Sequence, residues 1–186
     1  MSSGLKRQLI RYSLLAHQKG LTAAFGGNIS VRRGNLVFIK STGAIMGEMM
    51  TGQVATLTID SNQVSAVRPS SEYRLHLRVY EARPDVRAVV HLHPPFSIAA
   101  SVMLENELPL LTPEAEIYLR RIPVAPFREA GTEALAEVVA SSLKKHDAVI
   151  MENHGVATVG RSLREAFYKA ELVEESAKLW YLTKKR

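Results

Sequence analysis

Val89-Val90-His91-Leu92-His93-Pro94-Pro95, near the middle of the 186-residue chain, is the stretch on which the fold turns. β-Branched residues run into His91, and Pro94 cannot donate to a ladder, so the stretch reads as a buried strand that ends here. Residues two apart in an extended segment point the same way. His91 and His93 therefore direct their imidazoles into one space, at a strand end where a loop admits solvent. Two imidazoles on one face are half of a zinc-type site, although a histidine pair at a strand end is more often structural.

On the N-terminal side, Ser3 to Gly20 reads as an amphipathic helix with Leu5, Leu9, Ile10, Leu14 and Leu15 on one face. Ile29-Ser30-Val31 and Leu36-Val37-Phe38-Ile39 flank Arg33-Gly34-Asn35, a hairpin pattern. Val54 to Ile59 alternates, turns at Asp60-Ser61-Asn62 and resumes at Val64 to Val67, a second hairpin. Ser71 to Arg83 is helical in pattern, and Pro84 stops it. On the C-terminal side, helices are expected over Phe96 to Leu104, Glu114 to Leu119 and Thr132 to Lys145, with a brief edge strand at Ile122-Pro123-Val124. Ala148 to Met151 and Val156 to Val159 bracket the turn Asn153-His154-Gly155. Ser162-Leu163-Arg164-Glu165 is a capping box that opens a last helix. Hairpins mixed with helices argue for an α+β or three-layer arrangement, and no repeat or linker divides residues 1–186, which are expected to form a single domain.

Composition narrows the classes. Hydrophobic residues at 46% and charged residues at 23% are ordinary for a soluble domain. No apolar run is long enough to span a bilayer and the N-terminus has no signal-peptide core, so the expectation is a cytoplasmic protein without a membrane partner. With no cysteine, a metal would be held by His, Asp or Glu. The net charge of +6 favours anionic partners. The basic residues are scattered and not interleaved with aromatics, so a phosphorylated metabolite is expected rather than nucleic acid.

Three further features join the histidine pair. His154 lies in a turn between two buried-looking strands; alone it is an ordinary surface histidine, but with His91 and His93 it makes a three-histidine set with an open position. Ser70-Ser71-Glu72 opens a helix. These are common capping and dipole-compensating residues, and the same hydroxyls and free N–H groups suit a phosphate, with Glu72 beside the metal as ligand or base. Gly26-Gly27-Asn28 and Ser41-Thr42-Gly43 are small-residue loops with neither the P-loop nor the dinucleotide spacing; convergence on one phosphate is the functional reading, plain turns the other.

Gly26-Gly27-Asn28-Ile29-Ser30, Ser41-Thr42-Gly43, Ser70-Ser71-Glu72, His91-Leu92-His93-Pro94 and Asn153-His154-Gly155 occur in the order seen in the class II aldolase/adducin family, and nearly the whole chain resembles its fuculose-1-phosphate aldolase branch. The resemblance implies an α/β three-layer fold, a central mostly antiparallel sheet flanked by helices. It implies His91, His93, His154 and Glu72 as ligands to zinc (manganese or cobalt suit them about equally), with Glu72 also the catalytic acid/base. It implies Gly27, Asn28, Thr42, Gly43, Ser70 and Ser71 around the phosphate of a small sugar substrate, and a homotetramer with interfacial active sites. Two departures stand out. No tyrosine occupies Leu111-Thr112-Pro113-Glu114, where the family places a catalytic one, and Tyr118 comes too late to replace it. The sequence also ends at Arg186, without the family's tyrosine-bearing tail.

The implied reaction is cleavage of a ketose 1-phosphate, such as fuculose 1-phosphate, to dihydroxyacetone phosphate and an aldehyde through an enediolate. Its charge needs a Lewis acid with an open position, and Glu72 moves the proton on the adjacent carbon. The competing readings are a pentulose-phosphate epimerase, disfavoured because that branch carries Asp where Glu72 stands, a methylthioribulose-phosphate dehydratase, and a non-catalytic adducin-like module that would not need the ligands.

Overall fold

The computed structural model describes residues 2–184. In chain order they form α1 (Ser2–Gln18), β1 (Asn28–Arg33), β2 (Leu36–Lys40), β3 (Val54–Thr58), α2 (Tyr73–Ala82), β4 (Ala88–Leu92), α3 (Pro95–Ser101), β5 (Glu107–Leu108), α4 (Pro113–Tyr118), β6 (Ile122–Ala125), α5 (Glu133–Leu143), β7 (Ala148–Met151), β8 (Gly155–Gly160) and α6 (Leu163–Thr183). The strands make one sheet in the order β3-β2-β1-β4-β8-β7-β6-β5. Every pairing is antiparallel except β6 with β7.

The central strand β4 is buried along its whole length and alternates between two cores. Ala88, Val90 and Leu92 pack with α1, α3, α4 and α6 on one face of the sheet. Val89 packs with α2 and α5 on the other. The molecule is thus a three-layer α/β/α sandwich, as expected. The same alternation turns His91 towards the α2 layer, where a neutral ring must find polar partners.

Most of the expected elements form, with four corrections. Leu14 of α1 is exposed, while Tyr12, Ser13 and Ala16 take the buried positions. The second hairpin has only one strand. After β3 the returning chain makes a single bridge, Leu57 to Gln63. Val64 N and Ser65 N both donate to Thr56 O, and the Ser65 hydroxyl accepts from Thr56 N, so side chains and shared acceptors replace a ladder. Residues Ile122 to Val124 are not at the edge, because the two-residue strand β5 pairs outside them. Finally, α2 begins at Tyr73, and Glu72 sits at its N-cap position without a capping hydrogen bond.

Candidate metal centre

Three segments distant in sequence meet at the carboxyl end of β4. His91 is the penultimate residue of β4 and is fully buried. His93 lies just past the end of the strand, its N–H donating to Leu21 O. The chain is then pinned: Glu174 of α6 accepts from the N–H groups of Phe96 (2.9 Å) and Ser97 (2.8 Å) in the first turn of α3, where a helix leaves donors free and favours a carboxylate. His154 comes from the β7–β8 turn. Asn153 adopts the left-handed conformation there (φ 56°), which asparagine tolerates well, and His154 N donates to Met151 O. Glu72 arrives from the start of α2.

One ligand atom from each of Glu72, His91, His93 and His154 lies within 4.8 Å of all the others. The Nε2 atoms of His91 and His93 are 3.0 Å apart. Glu72 Oε2 is 2.9 Å from His91 Nε2, and Glu72 Oε1 is 3.2 Å from His154 Nε2. His91 Nδ1 donates to Val156 O at 2.9 Å, which fixes the tautomer and leaves the Nε2 lone pair for the cluster. Glu72 Oε1 is buried yet lacks a hydrogen bond, its approach to His154 being too poorly aligned for one. An orphaned carboxylate oxygen among converging lone pairs is what a divalent cation would satisfy, and the donor set of three imidazoles and a carboxylate suits one.

The charges agree. Burial would raise the Glu72 carboxyl, but His91 and His154 outweigh burial and hold it well below the usual carboxylate range. Burial works against a charge on His91 too, yet the adjacent carboxylate lifts it above an ordinary histidine. Burial and the neighbouring histidines push His93 down to about 3, so it stays neutral and ready to coordinate.

The expected phosphate residues fall on three loops that the structure ties together. Ser70 N donates to Lys40 O (3.0 Å) and Thr42 N to Arg68 O (3.2 Å), with a bridge between Ser41 and Pro69. Lys40 links them to the third loop, its ammonium donating to Phe25 O at 3.2 Å. Thr42, Gly43 and Ser71 are exposed, and Ser70 is buried. Gly27 is left-handed (φ 71°), and a Cβ there would lie 3.0 Å from His91 O. Asn28 makes contacts the sequence did not suggest. Its amide donates one Nδ2 hydrogen to Glu72 Oε2 (3.0 Å) and accepts from His76, so that side chain supports the carboxylate and keeps a second N–H. Two buried side chains at the site escaped the sequence reading, Lys40 and His76. A lysine closing a strand and a histidine within a helix have common structural uses; the four-residue spacing from Glu72 to His76 was the available signal. Tyr118 lines a groove with Tyr168 and Leu172 against α6, among none of the cluster residues.

Comparison with known proteins agrees with this geometry. Residues 7–181 match the family model for the class II aldolase and adducin N-terminal domain. The chain is 36% identical over 177 residues to an L-fuculose phosphate aldolase of Methanocaldococcus jannaschii, covering 95% of this chain and 96% of that one. It is 31% identical to a 3-oxo-tetronate 4-phosphate decarboxylase of Cupriavidus necator, covering 98% and 86%. The crystal structure of L-fuculose-1-phosphate aldolase from Thermus thermophilus superposes with a TM-score of 0.87 at 28% identity, covering 98% of each chain. With its sheet matched and the family model covering residues 7–181, the chain belongs to the class II aldolase and adducin N-terminal domain family.

Proposed function

We propose that the protein is a divalent-cation-dependent aldolase that splits a ketose 1-phosphate, such as L-fuculose 1-phosphate, into dihydroxyacetone phosphate and an aldehyde. The observation that carries this reading is the convergence of Glu72, His91, His93 and His154, with one buried carboxylate oxygen left unpaired. His91, His93, His154 and Glu72 would hold the cation. Zinc, manganese and cobalt all suit these donors. A divalent cation bound there supplies a Lewis acid to the carbonyl and adjacent hydroxyl oxygens of the ketose.

Glu72 then moves the proton. In the condensing direction it takes the proton from the carbon beside the carbonyl of dihydroxyacetone phosphate, and the electron pair left behind adds to the aldehyde carbon. In the cleaving direction it returns that proton. Its depressed pKa reflects the neighbouring His91 and His154. Basicity rises when the carboxylate leaves that pair, and a positioned base contributes about 10²–10⁴-fold in rate. Gly27, Thr42, Gly43, Ser70 and Ser71 are the proposed phosphate donors, with the buried Lys40 ammonium behind them. Phosphate binding far from the reacting carbon orients the substrate. The absence of tyrosine at residues 111–114 leaves the second proton to a group outside this cluster.

A second reading has a specific support. The relatives named 3-oxo-tetronate 4-phosphate decarboxylase match nearly the whole chain. Loss of carbon dioxide from a 3-oxo acid leaves its electron pair on the carbon beside a carbonyl, so the same cluster would serve. The test is a screen of phosphorylated ketoses and 3-oxo acids, followed by release of dihydroxyacetone phosphate or carbon dioxide. Turnover should vanish on chelation and return with zinc, manganese or cobalt, and Glu72→Gln should lower kcat about 10²–10⁴-fold. Full turnover of metal-stripped protein overturns the proposal. A homotetramer is proposed from the family resemblance and is checked by light scattering.

A further inference from the structure

Behind Glu72 lies a chain of buried polar side chains that the proposed reaction does not use. Asn28, Ser30, His76 and Tyr80 are each at most 2% exposed. Asn28 and Ser30 are alternate residues of β1, paired with His91 and Val89 of β4, so both face the α2 layer as His91 does. His76 is one turn along α2 from Glu72, and Tyr80 one turn further, which puts all three on one side of the helix.

The hydrogen bonds among them have one consistent direction. A carboxylate only accepts, so Asn28 Nδ2 must donate to Glu72 Oε2 (3.0 Å). Asn28 Oδ1 then accepts, so His76 donates from Nε2. A neutral ring with its proton on Nε2 accepts at Nδ1, and the Ser30 hydroxyl, 2.7 Å away, donates there. Ser30 Oγ in turn accepts from the Tyr80 hydroxyl at 2.7 Å. Burial above all keeps His76 neutral, with a pKa of about 3, and keeps Tyr80 protonated. Every donor points towards Glu72. Reversing the Asn28 amide would press Oδ1 against the carboxylate and Nδ2 against a ring N–H, two repulsions in a buried setting.

We propose that His76 is a positioning residue: through Asn28 it holds the Glu72 carboxylate by Oε2, so that Oε1 is presented to the cation and the substrate proton. Glu72 needs such a tether because it precedes the helix and makes no capping bond. The inference rests on reading the four-residue cluster as a cation site, and the experiment separates the two.

Metal-stripped wild type, His76→Phe, His76→Gln, Tyr80→Phe, Asn28→Ala and the His76→Phe/Asn28→Ala double variant are titrated with Co²⁺, following the visible spectrum and affinity; kcat and KM for ketose 1-phosphate cleavage are measured alongside. His76→Phe is expected to lose about 10–100-fold in Co²⁺ affinity, the usual size for a partner of a ligand, to alter the spectrum, and to lower kcat more than it raises KM. His76→Gln keeps a donor for Asn28 Oδ1 and should recover most of the loss. The double variant should be no worse than Asn28→Ala alone, because the effect of His76 passes through Asn28. A folded His76→Phe with wild-type affinity and spectrum overturns the proposal, as do losses that sum in the double variant. If His76→Phe does not fold, Tyr80→Phe cuts the same chain further out; a smaller loss in the same direction supports the proposal, and an unchanged spectrum and affinity overturns it. Wild type that binds no Co²⁺ overturns the cation reading and this inference together. Wild type that binds Co²⁺ but cleaves no ketose phosphate overturns only the aldolase reading, and the affinity comparison still decides the role of His76.

Discussion

Gly155 has no room for a side chain. A Cβ there would lie 2.3 Å from Leu92 O and 2.9 Å from His93 Cδ2, so Gly155→Ala must move either the β4–β8 ladder or a proposed ligand. The expected result is a loss of about 1–3 kcal/mol in stability, measured by urea unfolding, together with weaker Co²⁺ binding. A second prediction concerns acid. His76 is neutral in the fold down to a pKa of about 3 and has an ordinary value of 6.5 when exposed. Between those values the unfolded chain binds the extra proton, so the contribution of His76 is complete above about pH 6.5 and is lost as pH falls towards 3. His76→Gln should therefore flatten the pH dependence of unfolding free energy by up to one proton, about 1.4 kcal/mol per pH unit; parallel curves for the variant and wild type would contradict it. At these positions sequence is a partial guide. Alternation alone put His91 and His93 in one space. The double duty of Asn28 could not be read, because an asparagine beside two glycines looks like any turn residue until Glu72 and His76 close on it.

Helices and strands were legible where a local device marked them. Ser162 caps α6, its hydroxyl accepting from Glu165 N at 3.1 Å, while the Glu165 carboxylate reaches back to Arg161 N rather than to the cap itself. Ser162→Ala should cost about 1 kcal/mol in chemical unfolding and leave cation affinity unchanged, since Ser162 touches none of the four cluster residues. The failures share a cause. The pattern Val64 to Val67 alternates like a strand, but Ser65 is captured by Thr56 and the pairing stops after one bridge. Ser71 and Glu72 look like helix residues, yet Glu72 is drawn to the cluster, and the regular helix waits until Tyr73. Strand β5 has two residues, too few for any periodicity. In each case a contact from outside the segment overrode its local pattern.

Over the whole molecule, the proposed cation would join the start of α2, the end of β4 and the β7–β8 turn. Binding to the folded state alone stabilises by mass action, about 2.7 kcal/mol at a hundredfold excess over Kd. Zn²⁺ or Mn²⁺ should accordingly raise Tm and a chelator lower it, with a smaller shift in His154→Ala; calorimetry showing no difference between stripped and loaded protein would count against the site. Among the described residues no helix is long and apolar enough to cross a membrane. Periodicity, caps and turn residues are properties of neighbours along the chain, and from them alone followed most of the helices, the first hairpin, and the shared direction of His91 and His93, while the three-layer fold came from the family resemblance. Which way Glu72 faces and that His76 stands behind Asn28 depend on residues 44 and 48 positions apart and on strands folded against one helix, and the tie from Lys40 to Phe25 spans 15 positions. No local pattern encodes such distances, because long-range burial, not neighbour sequence, brings those groups within hydrogen-bonding reach.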